Sequence, residues 1–230
     1  LMLIKLNIEK NLVEIWNTML VIFDVEGVLY DAEFLPLLAE KMNKEKEVWE
    51  ITKKGIQGKI DWEEGLRQRV ELLKGLDYKT CKDVADSMPI MTGARELCSA
   101  LKNAGWKLMA VSGGFTIITD RLKTELGIDH IFTNELVFND EKLDDVVVNV
   151  NADKSKSAIS KITEWNEKKE NITVVVDGAN DVKLFDISDL GIAFRAQDLV
   201  KDLATVTLDE KDLTKIIPII NNHYNLTLSV

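Results

Sequence analysis

From Pro89 onward, short apolar runs alternate with amphipathic stretches, and this alternation limits the fold more than any other feature of the chain. The runs are "KLMAV" (107–111), "HIFT" (130–133), "ITVVVD" (172–177) and "LGIAF" (190–194), and between them lie "GARELCSALKNAG" (93–105), "TIITDRLKTELG" (116–127) and "SAISKITEWNEKK" (157–169). Runs this uniformly apolar are buried on both faces, which only a mostly parallel sheet covered by helices allows. An earlier run at 19–24 supplies one more strand, and "ELVFNDEKLDDVVVNV" reads as a β-hairpin excursion with Asn139-Asp140 at its turn. Residues 32–85 show helical patterns such as "EFLPLLAEKM" and "EEGLRQRVELLKGL" and almost no strand signal. The chain is therefore read as an α/β core formed by 19–31 and 87–230, with a helical cap inserted at 32–86. Residues 1–18, with helical spacing through Ile8, Leu12 and Ile15, are set aside as an N-terminal extension.

Charge narrows the partners. Lys and Arg total 29 against 39 Asp and Glu, a net charge of −10, so no global positive field gathers nucleic acid. No apolar run reaches the roughly 18–20 residues of a membrane helix, and the N-terminus lacks the pattern of a signal peptide. Cys81 and Cys98 sit in helical segments without metal-ligand spacing and are read as buried free thiols. A cytoplasmic protein with a small-molecule partner is expected; oligomeric state leaves no trace in the sequence.

Ligands of open α/β sheets bind beyond the carboxyl ends of the strands, and three strand ends here carry chemistry. Asp24 and Glu26 follow "VIF", Ser112-Gly113-Gly114 follow "KLMAV", and Asp177-Gly178-Ala179-Asn180-Asp181 follow "ITVVV", while Lys154 opens a nearby helix. Carboxylates gathered at one point need a cation, and hard oxygen ligands favour Mg²⁺. A Ser-Gly-Gly turn starting a helix offers a hydroxyl and open N–H groups to an anion, and Lys154 adds a positive charge. Together these describe a phosphate held against Mg²⁺ beside a carboxylate. Taken singly, each piece also has a purely structural reading as a turn, a loop or a surface lysine.

The segments "FDVEGVLYDAE", "GKIDWEEGLRQRVELLKGL", "AVSGGF", "NADKSKSAI" and "VVVDGANDVKLF" resemble the haloacid-dehalogenase-like phosphohydrolases, and within them the phosphoserine phosphatases. The resemblance implies a Rossmann-like three-layer core under a helical cap. It also implies Mg²⁺-dependent hydrolysis of a phosphomonoester, O-phosphoserine to serine and phosphate, as in serine biosynthesis. Asp24 would be the nucleophile that forms an aspartyl-phosphate, and Asp24, Asp177 and the Glu26 backbone carbonyl would bind the metal, with Asp181 holding its waters. Ser112, Gly113 and Lys154 would grip the phosphoryl oxygens, with Asn180 alongside and Lys156 the competitor for the lysine role. Glu33 and Arg69 would meet the substrate's ammonium and carboxylate. Read from the residues alone, Glu33 could instead cap the first cap helix, Arg69 could pair with Glu63 or Glu71 on the surface, and Arg67 could replace Arg69.

This chain departs from the family pattern at Glu26, where an aspartate is usual. That second acid protonates the leaving oxygen and then activates water, work worth roughly 10²–10⁴-fold, and the glutamate carboxyl lies one C–C bond, about 1.5 Å, farther out. Val28 removes a hydroxyl, and Val176 replaces a glycine before "DG". Two alternatives follow: a phosphatase for another small phosphorylated metabolite, and a weakly active or non-catalytic phospho-ligand-binding protein. His130 and His223 are read as incidental.

Overall fold

The computed structural model describes residues 19–56 and 59–229, so the N-terminal helical reading lies outside the described residues. Seven strands form one sheet: β1 (Leu20–Phe23), β2 (Lys107–Phe115), β3 (His130–Asn139), β4 (Lys142–Val147), β5 (Ile172–Val176), β6 (Leu190–Phe194) and β7 (Val206–Leu208). Their spatial order is β4-β3-β2-β1-β5-β6-β7, and every pair is parallel except β3 with β4. The chain builds outward from β1 to β2 and β3 on one side, then to β5, β6 and β7 on the other. Strand order thus reverses beside β1, the position where α/β sheets bind ligands.

The period-2 alternation of β1 sorts its side chains onto two faces. Val21 and Phe23 join a core with α5 (Ala94–Asn103), α6 (Thr116–Leu126) and α9 (Ile216–Tyr224), whereas Leu20 and Ile22 face α7 (Lys154–Glu164), a 3₁₀ stretch (Ala179–Ile187) and α8 (Asp198–Leu203). Helix α5 shows why the sequence permits this, since its buried Ala94, Leu97, Cys98 and Leu101 recur at helical spacing on one side. The result is the three-layer Rossmann-like α/β arrangement expected. Cys81 and Cys98 are free and buried, with burial raising their thiols to about 11 and about 12.

Between β1 and α5 stand four helices, α1 (Phe34–Glu40), α2 (Glu45–Ile56), α3 (Trp62–Leu73) and α4 (Tyr78–Ser87). In α3 the Asp61 side chain accepts from the N–H groups of Glu63 and Glu64, and Leu66, Val70 and Leu73 form the buried stripe. The outgoing and returning chains lie side by side, with Asp31 N–H donating to Pro89 O at 2.9 Å and Met91 N–H to Leu29 O at 2.9 Å.

Two local expectations are corrected. Strand β2 does not stop at Val111 but runs through Ser112-Gly113-Gly114 to Phe115, with an irregular register against β3 between Val111 and Phe115. Glycines inside a strand mark such a bulge as readily as a turn. "HIFT" and the hairpin's first arm are one strand, and the hairpin turn is Asp140-Glu141, both at positive φ, rather than Asn139-Asp140. Among the described residues no helix is long and apolar enough to cross a membrane.

Candidate active site

Asp24 directly follows β1 and is held there by its own N–H, which donates to Val175 O at 3.0 Å on the neighbouring strand. Its Oδ1 accepts from Val25 N–H at 2.7 Å and from Lys154 Nζ at 2.7 Å. Lys154, the first residue of α7, is 2% exposed and also pairs with Asp181 Oδ1 at 2.7 Å. Burial alone would lower its ammonium, but the charges of Asp181 and Asp24 more than offset this and shift it upward. Lys156 is exposed, so Lys154 is the lysine brought to the strand ends.

One carboxylate oxygen each from Asp24, Asp177 and Asp181 can be chosen so that all lie within 4.8 Å of one another. Burial, followed by the charge of Asp24, pushes Asp177 up to about 8 and holds Asp181 well above its usual range. Asp181 Oδ2 is buried and has no hydrogen-bond partner among the described residues. Three crowded carboxylates, one buried oxygen without a partner and a single lysine make a donor set that fits a hard divalent cation. Gly27, at φ +84°, completes the cradle: a Cβ there would lie 2.9 Å from Asp177 Cγ and closer still to Oδ2.

Above this centre opens a cavity of about 610 Å³ lined by Asp24, Asp177, Lys154 and Asn180 on the sheet side and by Glu33, Trp62 and Arg69 on the helical side. Burial is the main cause that raises the Glu26 carboxyl to about 7, with Asp24 adding to it and the Phe34 N–H and Arg69 working against it. Glu33 is exposed on the cavity wall; partial burial, then Glu26 and Asp24, push it up to about 8. Arg69 is lowered by burial, partly offset by Glu26 and Glu33, and its Nε donates to Gly65 O at 3.1 Å. Surface pairing of Arg69 does not occur: Glu63 pairs with Arg67 at 2.8 Å and Glu71 with Lys74 at 2.8 Å. Arg67 is exposed, and it is Arg69 that reaches the cavity. Nor does Glu33 cap α1, for its side chain makes no capping bond.

Ser112 is 1% exposed, with Oγ accepting from Gly114 N–H at 2.9 Å. It does not itself line the cavity, whereas Gly113, Gly114 and Phe115, which follow it, do. Val176 is fully buried in the core with Ile22 and Val174 and does not line the cavity. The structure therefore brings Asp24, Glu26, Glu33, Arg69, Gly113, Lys154, Asp177 and Asn180 to one cavity; Asp181 clusters with Asp24 and Asp177 without lining it, and Ser112 is buried next to Gly113 outside the lining.

The haloacid dehalogenase-like hydrolase family model matches residues 18–185. The chain belongs to this hydrolase family. A phosphoserine phosphatase of Archaeoglobus fulgidus is 36% identical over 206 residues, covering 87% of this chain and 59% of that one. The phosphoserine phosphatase of Methanocaldococcus jannaschii is 36% identical over 203 residues, covering 86% and 95%. Among solved structures, a phospho-aspartyl intermediate analogue of phosphoserine phosphatase superposes with a TM-score of 0.83 at 33% identity, covering 88% of this chain and 99% of that one. A substrate-bound phosphoserine phosphatase complex gives 0.82 at 33% identity, covering 88% and 98%.

Within this haloacid dehalogenase-like hydrolase some contributors escaped sequence reasoning. Trp62, at the start of α3, lies against Gly113, where a Cβ would be 3.1 Å from its Cζ2. Gln197 lines the cavity and its N–H donates to Asp177 O at 3.1 Å. Gln197 belongs to no quoted motif, and Trp62, although inside the "GKIDWEEGLRQRVELLKGL" segment, has no role assigned there; the tertiary approach of the helices and of the loop after β6 reveals both. His223, read as incidental, has Nε2 2.7 Å from Asp189 Oδ2, outside the cavity lining.

Proposed function

We propose that this hydrolase is a Mg²⁺-dependent phosphoserine phosphatase. The observation that carries the reading is the pairing of Asp24 with Lys154 at the base of a cavity whose opposite wall holds Glu33 and Arg69. A phosphate drawn to Lys154 and the Gly113 N–H would place its ester group toward an acidic and a basic side chain, which suits an amino acid's ammonium and carboxylate. The M. jannaschii relative and the substrate-bound neighbour, both phosphoserine phosphatases by name, support that substrate.

In this reading residues 32–86 are a cap over a core of 19–31 and 87–230. Asp24 attacks phosphorus, giving an aspartyl-phosphate as the serine oxygen leaves with a proton from Glu26. Glu26 then takes a proton from the water that opens the acyl phosphate, releasing phosphate and restoring Asp24. A group raised to about 7 suits both transfers near neutral pH. Lys154, the Ser112 hydroxyl and the Gly113 N–H meet charge on the phosphoryl oxygens, with Asn180 at their edge. Asp24, Asp177 and the Glu26 carbonyl would hold Mg²⁺, with Asp181 behind them; the ion, when bound, offsets negative charge on carboxylates and phosphoryl group. Serine as product places the reaction in serine biosynthesis, and the free thiols Cys81 and Cys98 suit a cytoplasmic setting.

The test is phosphate release by the purified chain from O-phosphoserine and from a panel of sugar and carboxylate phosphates, with Mg²⁺ and with chelator. Mg²⁺-dependent release that favours O-phosphoserine is the expected result. Equal rates across the panel would assign another metabolite, and saturable binding without release would make the chain a phospho-ligand-binding protein.

A further inference from the structure

Helix α1 begins in an unusual way. Its N-cap residue is Glu33, in the extended conformation at φ −111° and ψ 125°, yet the Glu33 side chain makes no capping bond, and the first turn holds no acidic residue. The cap comes from elsewhere: Glu26 Oε1 accepts from Phe34 N–H at 2.6 Å, across eight positions of sequence. The other Glu26 oxygen lies toward Gly114, where a Cβ would sit 2.5 Å from Oε2, so the bare glycine makes room for the long side chain. Phe34 is held from its other end as well, its buried ring 6.1 Å from Phe115 at the end of β2.

We infer that Glu26 is also a positioning residue, whose carboxylate holds the Phe34 N–H at the start of α1 from the core and thereby fixes the backbone from which the Glu33 carboxylate meets the substrate's cationic group. This rests on the phosphoserine reading above. An N-cap side chain ordinarily turns back onto the N–H groups of its own helix. Were Glu33 to do so, its charge would be spent on the backbone and its carboxyl drawn from the cavity. Glu26 instead takes the N–H of Phe34, the first residue of the helix and a donor that an N-cap side chain does not reach, and in doing so fixes residue 34 and with it the direction of residue 33. The length of glutamate matters here, because an aspartate carboxyl is drawn back by about 1.5 Å and leaves hydrogen-bond range of Phe34 N–H. The departure at position 26 is then a coupling between the proton-transfer group and substrate recognition.

Two substitutions separate the roles. Glu26→Gln keeps an acceptor oxygen for Phe34 N–H and gives up the transferable proton, so kcat falls by about 10²–10⁴-fold while KM for O-phosphoserine stays within about twofold. Glu26→Asp keeps the acid and gives up the reach. It raises KM for O-phosphoserine by about five- to tenfold, the loss of one helix cap read as binding, and leaves KM for phosphoglycolate, which carries no ammonium, within about twofold. Amide hydrogen exchange supplies a readout free of turnover: Phe34 N–H is slow in the wild type and Glu26→Gln and faster in Glu26→Asp. Equal exchange in all three, or equal KM changes for both substrates in Glu26→Asp, would overturn the inference. A wild type inert toward O-phosphoserine would instead refute the substrate reading, and the exchange rates would still decide the capping.

Discussion

Lys154 is the cation at the strand ends, bridging Asp24 and Asp181 from a position 2% exposed. A buried ion pair stripped of one partner leaves its carboxylates without compensation, at about 3–5 kcal/mol. Lys154→Met should therefore destabilise the metal-free protein by about that amount in denaturant titrations, with a smaller deficit when Mg²⁺ is present. Retention of wild-type stability by the metal-free variant would show that the carboxylates are neutral and need no cation. The placement of Asp24, the aspartates after β5 and this lysine at one point was legible because each is anchored locally to the end or start of an element. What Glu33 does was not legible. How the backbone at Glu33 is held depends on an acceptor seven residues earlier that binds the next N–H, and Arg69 is distinguished from Arg67 only by which side of α3 faces the cavity.

At the level of elements, amphipathic spacing located the helices well, while strand ends and turns shifted by a few residues. "SGG" contains nothing that separates a turn from a bulged strand, and the extension of β2 to Phe115 is set by its pairing with Asn134 of β3. The hairpin turn slipped by one position because Asn-Asp is a stronger local turn signal than Asp-Glu. Both turn residues, Asp140 at φ 47° and Glu141 at φ 58°, occupy the left-handed region, and glutamate is poorly suited to it. Replacing Asp140-Glu141 by Asn-Gly should raise stability by about 1 kcal/mol, or about 2–4 °C in melting temperature for a chain of this size. Turnover should not change, because the turn lies outside the cavity lining. A lower melting temperature would mean that the Glu141 carbonyl, which accepts from Tyr78 N–H at 2.7 Å, depends on the present turn geometry.

For the molecule as a whole, the alternation of strands and helices was enough to predict a parallel sheet and a helical insertion, but not the order of the strands. Nothing local distinguishes β5 from β2 as a neighbour of β1, although it is their joint placement beside β1 that assembles the carboxylates. That assembly makes stability depend on pH and on cation together. Asp177, raised to about 8, and Glu26, raised to about 7, hold protons in the native state that the unfolded chain, with carboxyls near 4, has released. Stability of the metal-free protein therefore falls as pH rises through this window. Carboxylates lowered by surface partners, such as Glu125 and Asp153, act only at more acidic pH, and His130, lowered by burial, opposes the trend only below about 6.5. Between about pH 6.5 and 8.5 the melting temperature in chelator should drop by about 5 °C or more. A divalent cation competes with these protons, so the rise in melting temperature that Mg²⁺ produces should be larger at the upper pH. A Mg²⁺ increment independent of pH would separate the cation site from these carboxylates, and stability that climbs with pH in chelator would show that they are ionised in the native state.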